Sequence, residues 1–193
     1  MTSTTKATTK TKDGQFINGL DVKAIQEAVE AIRVDPAAGA SNFQVTSAWS
    51  GGARSTSRSA ITLGGEAIER NFAIEIDEPA ELFGTNSNAN PQEYLLAAVN
   101  ACMIATFVAA CAVQGVTLSS LELTTNGDID LRGFLAIDGN VAPGYESLQY
   151  TFRVDGDGTT EQFNEIARWV QATSPNYFKM AKAIRMNASI EVV

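Results

Sequence analysis

Apolar and polar positions along the chain divide it into helical and extended segments. Across 20–34 apolar residues fall at Leu20, Val22, Ile25, Val29 and Ile32, with Ala24, Ala28 and Ala31 between them, which is helical spacing. Asp35-Pro36 and Gly39 end that helix. Residues 43–49 alternate through Phe43, Val45 and Ser47, a strand pattern, and Gly51-Gly52 follow as a turn. The polar, β-branched run 54–63 reads as an exposed hairpin partner, closed by Gly64-Gly65. A third strand is predicted over 67–76 through Ile68, Phe72, Ile74 and Ile76, with its phase blurred at Arg70-Asn71. Residues 78–90, rich in Pro, Gly and Asn, form a loop.

The strongest local signals surround residues 91–114. Asn90 suits a helix N-cap, Pro91 the first helical position and Glu93 the reciprocal capping position, and Gly115 supplies the stop. Such a helix is about 36 Å long. Between Tyr94 and Val113 only Asn100 and Thr106 are polar, which is long enough to cross a bilayer. Alanine dominates the run, however, and no basic cluster flanks it. A helix apolar on every side also suits the centre of a soluble core, and that reading is preferred over a membrane span. Strand-like runs follow at 117–125, 128–137 and 147–154, then an amphipathic helix over 160–173 carrying Phe163, Ile166, Ala167 and Val170. Ser174-Pro175 interrupts it, a further helical turn covers 177–183, and a strand over 186–193 ends the chain. Blocks of helices and antiparallel strands define an α+β protein.

Composition narrows the chemistry. The 193 residues are 45% hydrophobic and 19% charged, as expected of a folded domain. A net charge of -8 disfavours nucleic acid as a partner. No histidine is present, which removes histidine-based triads, proton shuttles and metal sites. Two cysteines are too few for a four-cysteine zinc site or a disulfide scaffold, so neither metal nor cofactor is expected. Asp155-Gly156-Asp157-Gly158 and Asp128-Ile129-Asp130 read as turns, since neither has the glutamate of a calcium loop at the required offset. Residues 1–15 read as a disordered tail without a secretory signal, 16–39 as a helical extension and 40–193 as the main domain. Low cysteine content without a signal points to a reducing cytoplasm.

Cys102 and Cys111 lie nine residues apart on the long helix. That separation is half a turn beyond two full turns and about 13.5 Å along the axis, so the two sulfurs face opposite ways and cannot join. Either cysteine alone reads as a small core hydrophobe. A reactive thiol needs a cation, and without histidine only Lys or Arg can serve. Arg54 and Arg58, in the glycine-flanked stretch 51–58, are candidates beside the plainer reading of a solvated strand edge. Gln92 and Glu93 either orient such an arginine or simply cap the helix.

The run Asn90-Pro91-Gln92-Glu93-Tyr94-Leu95-Leu96-Ala97-Ala98-Val99-Asn100-Ala101-Cys102 resembles the signature of the OsmC/Ohr family, in which a peroxidatic cysteine follows the helix-opening proline by eleven residues. Gly51-Gly52 with a nearby arginine, the Gly84-Thr85-Asn86 loop and Asp130-Leu131-Arg132-Gly133 agree with it, over roughly residues 40–193. The resemblance implies an intertwined homodimer with sheets wrapped around the central helices and active sites at the subunit interface. It also implies a stress-response thiol peroxidase that reduces organic hydroperoxides. Its cysteine passes through a sulfenic acid to a disulfide with a second cysteine, which an external thiol reopens.

The chain departs from that pattern at three positions. Ser174 stands before Pro175 where the second cysteine is expected. Gln92 replaces the glutamate after the proline, with Glu93 one step further round the helix. Ala53 separates Gly52 from Arg54, leaving Arg58 as the fallback. The expectation is therefore a longer OsmC-like protein working through Cys102 alone, with Arg54 or Arg58 as activator, Gln92 or Glu93 behind it and an external thiol as reductant. The alternative is a non-catalytic dimer that holds a small apolar ligand at its interface.

Overall fold

The computed structural model describes residues 16–192, so the expectation for residues 1–15 lies outside the described residues. The chain divides into two compact units, one ending at Leu95 and one beginning at Leu96. Strands in both pair antiparallel, and the α+β class holds.

The first unit opens with a two-residue hairpin, β1 (Phe16–Ile17) and β2 (Leu20–Asp21), and helix α1 (Val22–Val34). The Asp21 side chain caps α1 by accepting from the amides of Lys23 and Ala24 at 3.0 and 3.2 Å. A four-stranded sheet follows, of β3 (Ser41–Trp49), β4 (Ser55–Leu63), β5 (Glu66–Ile68) and β6 (Ala73–Ile76). The run 67–76, expected as one strand, is two strands, both paired with β4. The break falls at Arg70-Asn71, where the alternation loses phase and a continuous ladder would turn apolar residues to the wrong face. Strand β4 is the partner expected of β3, but it lies at the centre of the sheet rather than at an exposed edge.

Register puts Phe43, Val45, Trp49, Ile61, Ile68, Ile74 and Ile76 on one face of this sheet and Gln44, Thr46, Thr56, Arg58 and Glu75 on the other. Phe43, Val45, Trp49, Ile68 and Ile74 are exposed. On the same apolar face the Ser47 and Ser57 hydroxyls share a hydrogen bond of 2.7 Å.

After β6 the buried Asp77 organises the loop. Its Oδ2 accepts from the amide and hydroxyl of Thr85 at 3.0 and 2.6 Å and from those of Ser87 at 3.0 and 2.9 Å. These donors, the Thr85 hydroxyl foremost, hold the carboxyl far below the usual carboxylate range.

Helix α2 (Pro91–Val113) starts in the first unit and continues into the second. Its start carries the expected reciprocal cap: the Asn90 amide donates to Glu93 Oε2 at 2.7 Å, and the Glu93 amide donates to Asn90 Oδ1 at 2.8 Å. The Tyr94 hydroxyl ties this first turn to the Glu75 carbonyl at 2.8 Å. At the far end Gly115, at φ +76°, takes the left-handed conformation that stops a helix.

In the second unit α2 packs against the hairpin of β7 (Leu118–Asn126) and β8 (Gln149–Gly156) and against α4 (Thr160–Thr173). Val99, Met103, Phe107, Ala110 and Cys111 meet Val116, Leu123, Ile166 and Val170 in one core. Phe107 lies tilted at 5.0 Å from Phe152 and stacks at 6.4 Å from Phe163. Asn100, polar within the apolar helix, donates to the Leu123 carbonyl at 3.2 Å and accepts from the Thr125 hydroxyl at 2.6 Å. Its hydrogen bonds therefore reach β7. Helix α2 is long and apolar enough to cross a membrane, but here it contributes to the core of the second unit.

Two expected strands are not found. Residues 128–137 contain a short helix, α3 (Leu131–Phe134), because the Asp130 side chain caps it through the Arg132 amide at 2.9 Å while β7 and β8 pair directly with each other. Residues 186–192 form no strand: a ladder needs a neighbour, and none of the described strands pairs with them, which leaves Met186, Ile190 and Val192 exposed. The last helix is α5 (Pro175–Ala181), which begins at the proline where a missing N–H costs nothing.

The core assignment is testable at Phe107. Phe107→Ala is expected to cost about 3–5 kcal/mol by chemical denaturation, because it removes the ring that α4 and β8 pack against.

Candidate functional site

The sequence-predicted site residues fall into two groups. Arg54, Arg58, Gln92 and Glu93 belong to the first unit, and Cys102 and Ser174 to the second.

Arg54 sits in the turn before β4, where its Nε donates to the Gly51 carbonyl at 3.5 Å. Arg58 lies within β4, exposed on the polar face of the sheet opposite Thr46 and Ala73. Gln92 is exposed in the first turn of α2. One carboxylate oxygen of Glu93 is spent on the helix cap, as the plainer reading required.

Within the second unit the chain brings two of the predicted residues into contact. Ser174 Oγ donates to Cys102 Sγ at 3.4 Å across 72 residues of sequence. Cys102 is half-buried and Ser174 is 1% exposed. Helix packing makes the encounter: Ser174 follows the core residue Val170 by one turn of α4, while Cys102 adjoins the core residue Met103 on α2. The Asn176 side chain donates to the Ala98 carbonyl at 2.9 Å and fastens α5 to α2 one turn before Cys102. The Thr106 hydroxyl donates to the Cys102 carbonyl at 2.8 Å. Sequence reasoning marked Ser174 as the place of a second cysteine. The resemblance implied that positions 102 and 174 lie near each other, since a disulfide there needs it; no periodicity gave the hydrogen bond that joins them.

Cys111 takes the other role open to a cysteine. It is fully buried in the core, and desolvation, with the Asp157 carboxylate adding to it, pushes its thiol up to about 11. The two cysteines are free and lie on opposite sides of one intact helix, as the spacing required. Among the described residues no cluster of carboxylates and cysteines could hold a metal ion.

A cavity of about 240 Å³ opens beside the same stretch of α2, lined among others by Val99, Met103, Tyr150, Tyr177 and Met180. It lies wholly within the second unit. Tyr150 and Tyr177 meet edge to face at 6.1 Å in its wall.

These features define an α+β thiol protein with one buried and one accessible cysteine on a central apolar helix. The chain belongs to the OsmC-like protein family, whose family model matches residues 84–189, more than half of the chain. Among solved structures it resembles an OsmC-like protein from Mycoplasma pneumoniae at 16% identity and a TM-score of 0.57, covering 72% of this chain and 87% of that one. It also resembles an OsmC-like protein of unknown function from Vibrio cholerae O1 at 13% identity and a TM-score of 0.54, covering 71% and 92%. At such identities the likeness concerns the fold. No curated protein matches the chain.

The contrast between the thiols has a direct readout. At about pH 8 iodoacetamide is expected to modify Cys102 and to spare Cys111 until denaturant is added, as peptide mass mapping reports. Because folding raises the Cys111 thiol from 9.0 to about 11, its contribution to stability is complete below pH 9 and is lost as pH rises through 11. Cys111→Ala removes that part of the alkaline decline, measured by urea unfolding across the range.

Proposed function

We propose that this protein is a thiol peroxidase that reduces organic hydroperoxides through Cys102 alone. The observation that carries the reading is the half-buried, free Cys102 on the central helix with the Ser174 hydroxyl at 3.4 Å from its sulfur. The family pattern expects a second cysteine where that serine stands. The Cys102 thiolate attacks one oxygen of the peroxide and the O–O bond breaks. The sulfur leaves as a sulfenic acid, and the alkoxide takes a proton and departs as an alcohol. With serine at 174 and Cys111 on the opposite side of the helix, the reductant is an external thiol, as a reducing cytoplasm supplies.

The reading includes a homodimer and an activating arginine. Support for the dimer comes from the apolar face of the first unit's sheet, where Phe43, Val45, Trp49 and Ile74 are left exposed in a single chain. If that face is the covered one, Arg58 points the opposite way, so Arg54 in the preceding turn is the better candidate for the cation beside the thiolate. Gln92, and the oxygen of Glu93 not used in the cap, are the groups that would orient it. The name OsmC-like carries an association with stress response that this activity fits.

A second reading rests on the cavity beside α2. Its tyrosine and methionine lining suits a small apolar ligand, held without chemistry at Cys102.

Cumene hydroperoxide in slight excess is expected to convert wild-type Cys102 to a sulfenic acid that dimedone traps, and Cys102→Ser to abolish both trapping and thiol-dependent peroxide consumption. An inert wild-type thiol, together with ligand binding unchanged in Cys102→Ser, supports the second reading instead. Light scattering is expected to report twice the mass of one chain; a monomer would remove the interface part of the proposal. Arg54→Ala is expected to slow peroxide reduction by about tenfold or more, with Arg58→Ala close to wild type.

A further inference from the structure

We infer that Ser174 is a positioning residue for Cys102: its hydroxyl steadies the reactive sulfur by a hydrogen bond, and because it is not a thiol the oxidised sulfur is left to an external one. The inference rests on the reading of Cys102 as the peroxide-reducing residue and extends it to the second half of the cycle.

Ser174 is the N-cap of α5, a position where a serine side chain ordinarily accepts from the first amides of its helix. Here it makes no such bond. Its hydroxyl points across to α2 and donates to Cys102 Sγ. The backbone around it is held independently: the Ser174 amide donates to the Val170 carbonyl at 2.8 Å, and the Phe178 amide donates to the Ser174 carbonyl at 3.0 Å. The Asn176–Ala98 bond keeps the two helices in place. A buried serine hydroxyl whose hydrogen bond goes to the sulfur of the neighbouring helix is a group aimed at that sulfur.

The consequence depends on charge. A hydroxyl donates more strongly to a thiolate than to a thiol, so this contact favours the reactive form. After oxidation the same hydroxyl remains beside the sulfenic acid and can hydrogen-bond to it, but it cannot form an S–S bond. The thiolate of an external thiol then attacks the Cys102 sulfur: an S–S bond forms, the S–O bond breaks, and hydroxide leaves as water after taking a proton. A second external thiol opens the mixed disulfide and releases Cys102 as the thiolate. Two thiols are oxidised to one disulfide for each peroxide reduced to alcohol. A cysteine in place of Ser174 would short-circuit this by closing an internal disulfide first.

The test compares the full-length wild type with Ser174→Ala and Ser174→Cys, each checked for folding by thermal melt. The rate at which iodoacetamide modifies Cys102 is followed against pH, without peroxide. Ser174→Ala is expected to react about tenfold more slowly near neutral pH, with its pH–rate profile moved to the alkaline side. A profile that superimposes on wild type overturns the inference. In Ser174→Cys, one equivalent of cumene hydroperoxide is expected to yield a disulfide between Cys102 and the introduced thiol, seen by intact mass and peptide mapping, where wild type yields a sulfenic acid. A persisting sulfenic acid with no such disulfide overturns it as well, and this variant decides the matter if Ser174→Ala does not fold. Should wild-type Cys102 resist peroxide altogether, the peroxidase reading fails, while the iodoacetamide profile still decides whether Ser174 acts on the sulfur.

Discussion

A helix with no polar side is the constraint around which this chain is organised. Backbone hydrogen bonds inside Pro91–Val113 are self-contained, but its side chains lose free energy wherever they meet water. The second unit answers on one flank: the β7–β8 hairpin and α4 cover Val99, Met103, Phe107 and Cys111. The polar interruptions become anchors rather than defects, since Asn100 bonds to β7 and Thr106 bonds back to the Cys102 carbonyl. On the flank where Ala97, Ala98, Ala101 and Ala105 lie, the single chain offers little cover. Small side chains there permit close approach of another element, which is what the proposed dimer requires.

The first unit has the complementary imbalance. Register gathers its large apolar side chains on one face, with Arg58 and Glu75 on the other, yet little of that apolar face is buried within the unit. Its order comes instead from directed bonds: the ladders onto β4, the Asp21 cap of α1, and the Asp77 carboxylate that gathers Thr85 and Ser87 ahead of the helix. Such a unit is shaped before it is covered, which suits an element whose cover comes from elsewhere.

One helix thus carries two cysteines in opposite surroundings. Burial deprives the Cys111 sulfur of any stabilisation of its anion, and the Asp157 carboxylate adds to the penalty. Cys102, nine residues away on the other side, keeps partial access to solvent and gains a hydroxyl donor. Oxidation chemistry follows the thiolate, so the environment rather than the residue type separates the two.

The long helix, its Asn90–Glu93 cap and its glycine stop were legible in the sequence, because capping and hydropathy act over a few neighbouring residues. So were α1 and α4 from their helical spacing, β3 from its alternation, β4 from its β-branched run between glycine turns, and the separation of the two cysteines, which helix geometry alone dictates. The family, too, was readable from the run Asn90 to Cys102. The strands expected at 128–137 and 186–193 were not found, since a strand exists only where a neighbour completes its ladder, and alternation in one segment carries no information about that neighbour. In the first case a local cap on Asp130 won, and in the second the described strands pair only among themselves. That positions 102 and 174 lie near each other was implied by the family resemblance, but the hydrogen bond between them was decided by tertiary structure: it joins residues 72 positions apart, and a side chain's aim across such a distance is fixed only when the helices that carry it have docked.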